Sequence, residues 1–307
     1  MDLARQERNE TMKDVITAGV DGTPESLSAV LWAAREAQLR QAQLRLLHAW
    51  VLLAPEPNGR PPADRDQNYW PHRMMRETAA EVRTRFPDLP VEMMLVPKDP
   101  LDALREAAEV SDLLVLGAQD LGPVSRYALS ELGLKLVPCT NAPTVLVHAR
   151  QEDTAERDRA VLVGLSLHDP SVSLLDFAFA TASRRGTTLR VLHGRHLPSY
   201  AYNRGGGVEA SAAREAAHDA RQELSAALDP WREKYPDLAV DHRVAMESPG
   251  PALVHHAADA ELLIVGRRHR HRHRLPGPRI GRVVQSVVHR APCPVAVVPH
   301  DGTPSRG

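Results

Sequence analysis

Short, continuous apolar runs alternate with longer amphipathic stretches along this chain. In its first half the runs are 14–20, 44–52, 91–96, 112–117 and 144–148. They are rich in Val, Ile and Leu with no polar alternation, as expected for strands buried on both faces of a parallel sheet. The stretch S-L-S-A-V-L-W-A-A-R-E-A-Q-L-R (26–40) has helical periodicity, with apolar residues at 27, 30, 31, 34 and near 37. Thr23 and Pro24 before it supply an N-cap and a proline for the first turn. The second half repeats the pattern, with strands expected near 160–165, 189–193, 239–244, 261–266 and 294–299.

The halves match in letters as well as pattern. D-V-I-T-A-G-V (14–20) answers R-A-V-L-V-G-L (159–165), and L-R-L-L-H-A-W (44–50) answers L-R-V-L-H-G-R (189–195). His48 and His193 each fall 29 residues after a glycine, Gly19 and Gly164. F-P-D-L-P-V pairs with Y-P-D-L-A-V, D-L-L-V-L-G with E-L-L-I-V-G, and N-A-P-T-V-L-V with P-C-P-V-A-V-V. Five ordered matches imply a tandem duplication. The expected domains are 1–149 and 159–307, joined by a charged linker at 150–158. Each is a doubly wound α/β domain, Rossmann-like, with a five-stranded parallel sheet and helices on both faces.

Composition narrows the function classes. The chain has 307 residues, 43% of them hydrophobic, and a formal net charge of -1, which argues against a dedicated nucleic-acid binder. No apolar run approaches the roughly 18 residues that span a bilayer, and the polar start M-D-L-A-R-Q-E-R-N-E does not look like a signal peptide. A cytoplasmic protein without membrane partners is expected. Its two cysteines, Cys139 and Cys293, lie far apart and are expected as small buried thiols.

Ligands of open parallel sheets bind beyond the carboxyl ends of the strands, where strand order reverses. That rule selects Asp21 and Gly22, Ala49 and Trp50, and Gly117 onward in the first copy. In the second it selects Ser166 and Leu167, Gly194 and Arg195, and Gly266 onward. After Gly266 comes R-R-H-R-H-R-H-R, eight consecutive Arg or His residues from Arg267 to Arg274, read as a loop leading to a helix near Ile280. Four readings stay open: a solvated loop, an anion cradle using Arg267, Arg268 and Arg282, a metal site of His269, His271 and His273, or a nucleic-acid patch. Interleaved arginines repel a cation, and no aromatic residue is present to stack on bases. Anion binding is therefore the strongest functional reading. Asp21 either contacts a ligand or closes the turn before the first helix. His48 and His193 are expected to pack at strand ends with one ring nitrogen satisfied.

V-I-T-A-G-V-D-G-T-P-E-S followed by L-R-L-L-H-A-W resembles the opening of universal stress protein domains. G-R-V-V-Q-S-V-V-H-R-A-P-C-P-V-A-V-V resembles their ending. The resemblance covers nearly the whole chain twice and implies an adenine nucleotide-binding fold of the alpha hydrolase-like type. In the nucleotide-binding branch, an acid after strand 1 meets the nucleoside and a G-x2-G-x9-G-[ST] loop wraps the phosphates. Carried over, the first copy keeps Asp21 and Gly117. It has Asp120 for the second glycine, with Gly122 nearby, and Ser130-Glu131 for the final pair. The second copy has Ser166 at the acid position, with Asp169 shortly after. It keeps Gly266, has His269 for the second glycine in a loop two residues longer, and opens the next helix with Gly281, Arg282 and Val283. Neither motif is intact.

The implied ligand is ATP or a related adenine nucleotide, with Mg²⁺ to offset the added carboxylates, or another small phosphorylated molecule. The alternative is a stress-response interaction scaffold whose sites have decayed. No nucleophile elbow, H-E-x-x-H or phosphate loop of the G-x-x-x-x-G-K-[ST] type is present, so turnover beyond weak ATP hydrolysis is not expected. The apolar runs T-V-L-V and P-V-A-V-V invite edge pairing. They carry the expectation of intramolecular domain pairing through the last strands, with a homodimer as a further partner state.

Overall fold

A computed structural model describes residues 14–50, 69–118, 131–148, 160–168, 170–196, 210–269 and 280–301. The described residues up to His148 form one compact unit, and those from Ala160 form a second. Unit 1 runs β1 (Val15–Gly19), α1 (Pro24–Arg40), β2 (Gln43–Ala49), α2 (Tyr69–Arg85), β3 (Val91–Val96), α3 (Pro100–Glu109), β4 (Leu113–Ala118), α4 (Glu131–Leu136) and β5 (Thr144–His148). Unit 2 runs β6 (Ala160–Gly164), α5 (Val172–Arg185), β7 (Leu189–Gly194), α6 (Ala210–Lys234), β8 (Val240–Ala245), α7 (Pro249–His256), β9 (Ala260–His269), α8 (Arg282–Arg290) and β10 (Val295–Asp301).

Within unit 1 the strand order is β3-β2-β1-β4-β5, every pair parallel. Within unit 2 it is β8-β7-β6-β9-β10, again parallel. The chain steps outward from β1 to β3, returns to β4 and then goes on to β5. Right-handed crossovers therefore place α1 and α2 on one face and α3 and α4 on the other. With both faces covered, Ile16, Ala18, Leu113, Leu114 and Val115 are fully buried. Their counterparts in unit 2 include Val161, Val163, Leu263 and Ile264. No helix among the described residues is long and apolar enough to cross a membrane.

Helix α1 begins as its sequence dictates. Thr23 is the N-cap, its hydroxyl accepting from the Ser26 N–H, and Pro24 opens the first turn. Of the positions read from periodicity, Val30, Ala34 and Ala37 are buried as expected, Leu31 is half-buried and Leu27 falls outside the buried face. Ala29, Val30, Ala33, Ala34 and Ala37 are fully buried, whereas Leu27 is 38% exposed. Close approach explains this. A Cβ on Gly117 of β4 would fall 2.7 Å from the backbone carbon of Glu25 and the nitrogen of Ser26. At that separation the helix meets the sheet only through small side chains, and the leucines are displaced to its flank.

Three sequence expectations need correction. Cys293 is buried, two residues before β10, but Cys139 is exposed at the end of the turn that follows α4. Strand β2 ends at Ala49 instead of running to 52; positions 51 and 52 lie outside the described residues. Strand β9 continues to His269, three residues beyond its expected end at 266.

The duplication also supplies a stability test. Helix α5 ends on Gly186 in the left-handed region (φ 61), whereas α1 ends on Gln41 in the same conformation (φ 54). Gln41→Gly is expected to raise stability by about 0.5–1 kcal/mol, since only glycine takes this conformation without a Cβ clash. Gly117→Ala is expected to lower it by roughly 1–3 kcal/mol through backbone displacement. Denaturant unfolding of the full chain checks both; an unchanged midpoint for Gly117→Ala would contradict the close helix–sheet approach.

Candidate functional site

Strands β1 and β4 are neighbours at the point where the chain reverses direction across the sheet, so the crevice of unit 1 opens at their carboxyl ends. Asp21, exposed just past β1, uses one carboxylate oxygen for the turn. Its Oδ1 accepts from the Thr23 N–H at 2.9 Å and the Thr23 hydroxyl at 2.6 Å. No hydrogen bond is made by Oδ2 among the described residues. Asp21 therefore closes the turn and still presents an exposed oxygen. Gly22 follows with φ +84, and a Cβ there would lie 2.8 Å from the thioether sulfur of Met74 on α2. Ala49 ends β2, beside Val96 of β3.

The histidine expectation holds in both units. His48 Nδ1 lies 2.6 Å from the Val20 carbonyl, and His193 Nδ1 lies 2.9 Å from the Leu165 carbonyl. Each ring ties the second strand to the residue just past the first. Trp50 stacks on His48 with ring centroids 6.2 Å apart and meets His72 edge-on at 6.0 Å. Its indole N–H is buried and has no acceptor among the described residues. Asp21 and Gly22 follow β1, Ala49 ends β2 and Gly117 lies near the end of β4, so all four fall at the carboxyl ends of adjacent strands, while Trp50 packs against His48 and His72. Gly122 and Ser130, expected in the phosphate-wrapping stretch, lie outside the described residues, as does Asp120.

Unit 2 reaches the same place with different chemistry. Ser166 and His168 are exposed past β6 and Leu167 is buried, so no described carboxylate occupies the Asp21 position; Asp169 lies outside the described residues. Gly266 is inside β9, opposite Val298 of β10, and a Cβ there would lie 2.9 Å from the ring of His300. Arg267, Arg268 and His269, read from sequence as loop, pair with Pro299, His300 and Asp301. Arg267 is buried and Arg268 exposed, following strand alternation. Backbone pairing with the seven-residue β10 (its counterpart β5 has five) outweighs the solvation that favours a loop for consecutive cations. The remainder of the stretch, 270–279, lies outside the described residues. Gly281 is the N-cap of α8 with no side-chain cap, Arg282 is exposed at its first position and Val283 is half-buried. Among the described residues, no group of three or more His, Cys, Asp or Glu side chains gathers around a common point.

Sequence reasoning passed over Met74, His72 and His300. Met74 is far from Gly22 along the chain, and only the packing of α2 brings it there.

Three comparisons place this geometry among known proteins. The model of the universal stress protein family matches residues 12–148 and again 159–299. A universal stress protein of Mycobacterium tuberculosis is 29% identical over 297 residues, covering 92% of this chain and 96% of that one. Among solved structures, a universal stress protein of Archaeoglobus fulgidus aligns over 93% of this chain and 98% of its own, with a TM-score of 0.58 and 14% identity. Another, solved in complex with cAMP, is 23% identical over 46% of this chain and 100% of its own, at a TM-score of 0.34.

Burial holds the His193 pKa below the ordinary imidazole value; the Leu165 carbonyl opposes this, while the charges of Arg195 and His168 reinforce it. The native state favours the neutral ring. Its stabilisation is therefore complete above the unfolded value, roughly 6.5, and is lost as pH falls through the depressed one. His193→Asn keeps an N–H donor for Leu165 but cannot titrate. Between about pH 7 and pH 5 its unfolding midpoint is expected to fall less than that of the parent. Equal slopes would remove burial of the neutral ring as a cause of acid sensitivity.

Proposed function

Since this chain belongs to the universal stress protein family, in two tandem copies, we propose that unit 1 binds an adenine nucleotide at the tips of β1, β2 and β4. The observation that carries this reading is the exposed Asp21 carboxylate, whose Oδ2 is available to a ribose hydroxyl pair. Gly117 lets the start of α1 close onto β4 beside Asp21, and Trp50 adds an aromatic face of the kind bases pack against. The phosphates would extend toward the stretch after β4, where the sequence places Gly122 and Ser130. Mg²⁺ would there offset the carboxylates of Asp120 and Glu131. The role proposed is ligand-dependent stress response without metabolic turnover. A second reading, a scaffold that works without nucleotide, draws on Met74, whose thioether rests against Gly22 in the same crevice.

Calorimetric titration of the full chain with ATP, with and without Mg²⁺, tests the proposal. Saturable heat is expected, and Asp21→Asn is expected to weaken binding roughly tenfold, the loss of one charge-assisted hydrogen bond. Absence of heat up to about 1 mM nucleotide, a bound of about 4 kcal/mol, would favour the scaffold reading.

A further inference from the structure

The two units differ at one position whose backbone they hold alike. Just past β2, the Trp50 N–H donates to the Val96 carbonyl at 3.1 Å; just past β7, the Arg195 N–H donates to the Ala245 carbonyl at 3.0 Å. Two residues earlier, the matching imidazoles make the matching bonds to the Val20 and Leu165 carbonyls. With main chain and neighbouring ring equivalent, an indole in unit 1 has become a guanidinium in unit 2.

That guanidinium is half-buried and makes no hydrogen bond or ion pair among the described residues. Its charge acts on the buried ring of His193, as does that of His168. Gly194 puts no side chain between β7 and the start of α7, where a Cβ would fall 2.7 Å from the Pro249 Cα. Ser248, the N-cap residue of α7, does not cap its helix; its Oγ lies 3.1 Å from His196 Nε2. Gly250 in the first turn of α7 packs on Ser286 of α8, the helix that opens with the uncapped Gly281 and the exposed Arg282. The carboxylates near this wall, Glu247 and Glu223, are both exposed and neither pairs with Arg195. In unit 1 the equivalent wall carries Asp21, Trp50 and the Asp99 carboxylate capping α3.

We propose that Arg195 is an anion-ligating residue, and that the crevice of unit 2 takes an oligophosphate through its phosphate groups, without requiring a nucleoside. The planar guanidinium offers paired donors matched to phosphate oxygens. The proposal rests on the reading that the strand tips bind a ligand, but it assigns the two units different parts of ligand chemistry. Unit 1 takes a nucleotide through its nucleoside end, and unit 2 takes a phosphate chain on its own.

Titration of the full chain with inorganic triphosphate, and separately with adenosine, tests it. Triphosphate is expected to bind, with affinity falling as salt rises. Arg195→Gln is expected to weaken that binding about tenfold or more, and Arg195→Lys less, since lysine keeps charge but loses the paired geometry. Asp21→Asn is expected to leave triphosphate affinity unchanged. The thermal unfolding midpoint of Arg195→Gln is expected to match the parent. An unchanged triphosphate affinity in a folded Arg195→Gln chain, or no triphosphate binding by the parent, would overturn the proposal. If adenosine fails to bind and ATP binds only in an Arg195-dependent way, unaffected by Asp21→Asn, the nucleotide reading of unit 1 falls and the assignment of Arg195 stands.

Discussion

A parallel sheet leaves carbonyls without strand partners at its carboxyl ends, and a binding crevice built there needs those ends held still. In each unit a hydrogen bond between a histidine ring near the end of the second strand and the carbonyl just past the first does so, beside the main-chain bond that Val20 or Leu165 itself donates to Leu47 or Leu192. It satisfies a main-chain acceptor that would otherwise lie in a poorly solvated corner. It also fixes the direction in which the loop leaves β1 or β6. The position of Asp21 on one side, and of Ser166 and His168 on the other, follows from that tether. So does the presentation of Trp50 and Arg195, two residues beyond the rings.

From the same starting frame the copies diverge through loop length. The N-cap of the first helix comes four positions after Gly19 in unit 1, at Thr23, but seven after Gly164 in unit 2, at Ser171. The short loop brings the start of α1 down onto Gly117, backbone against backbone. With the longer loop, the matching face of Gly266 meets the side chains of His300 and Leu174 instead. Three added residues thus replace main-chain contact with side-chain contact at the tip of the fourth strand. Duplicated domains can in this way keep one core and carry two kinds of crevice.

Local sequence was a good guide wherever the physics is local. The cap at Thr23 and Pro24 and the strand runs could be read along the chain, because they depend on propensity, periodicity and near neighbours; the satisfied histidines could be read because the duplication repeats them at the same spacing. It was a poor guide to the partner across the sheet. Arg267 to His269 look like loop because consecutive cations favour solvent. They form a strand because Pro299, His300 and Asp301 continue β10 beside them. On α1 the periodicity picked out Val30, Ala34 and Ala37, which are buried, but also Leu27 and Leu31, which the close approach of the helix start to Gly117 leaves on its flank.

The amino-acid sequence alone determined the tandem duplication, the doubly wound α/β class and the approximate ends of the strands. Each follows from repetition and from the solvent preference of apolar runs. Only the tertiary structure decided which residues meet: Met74 against Gly22, His300 over Gly266, Arg195 near His193. Those meetings join residues from separate elements, through backbone pairing and helix approach that no local pattern encodes.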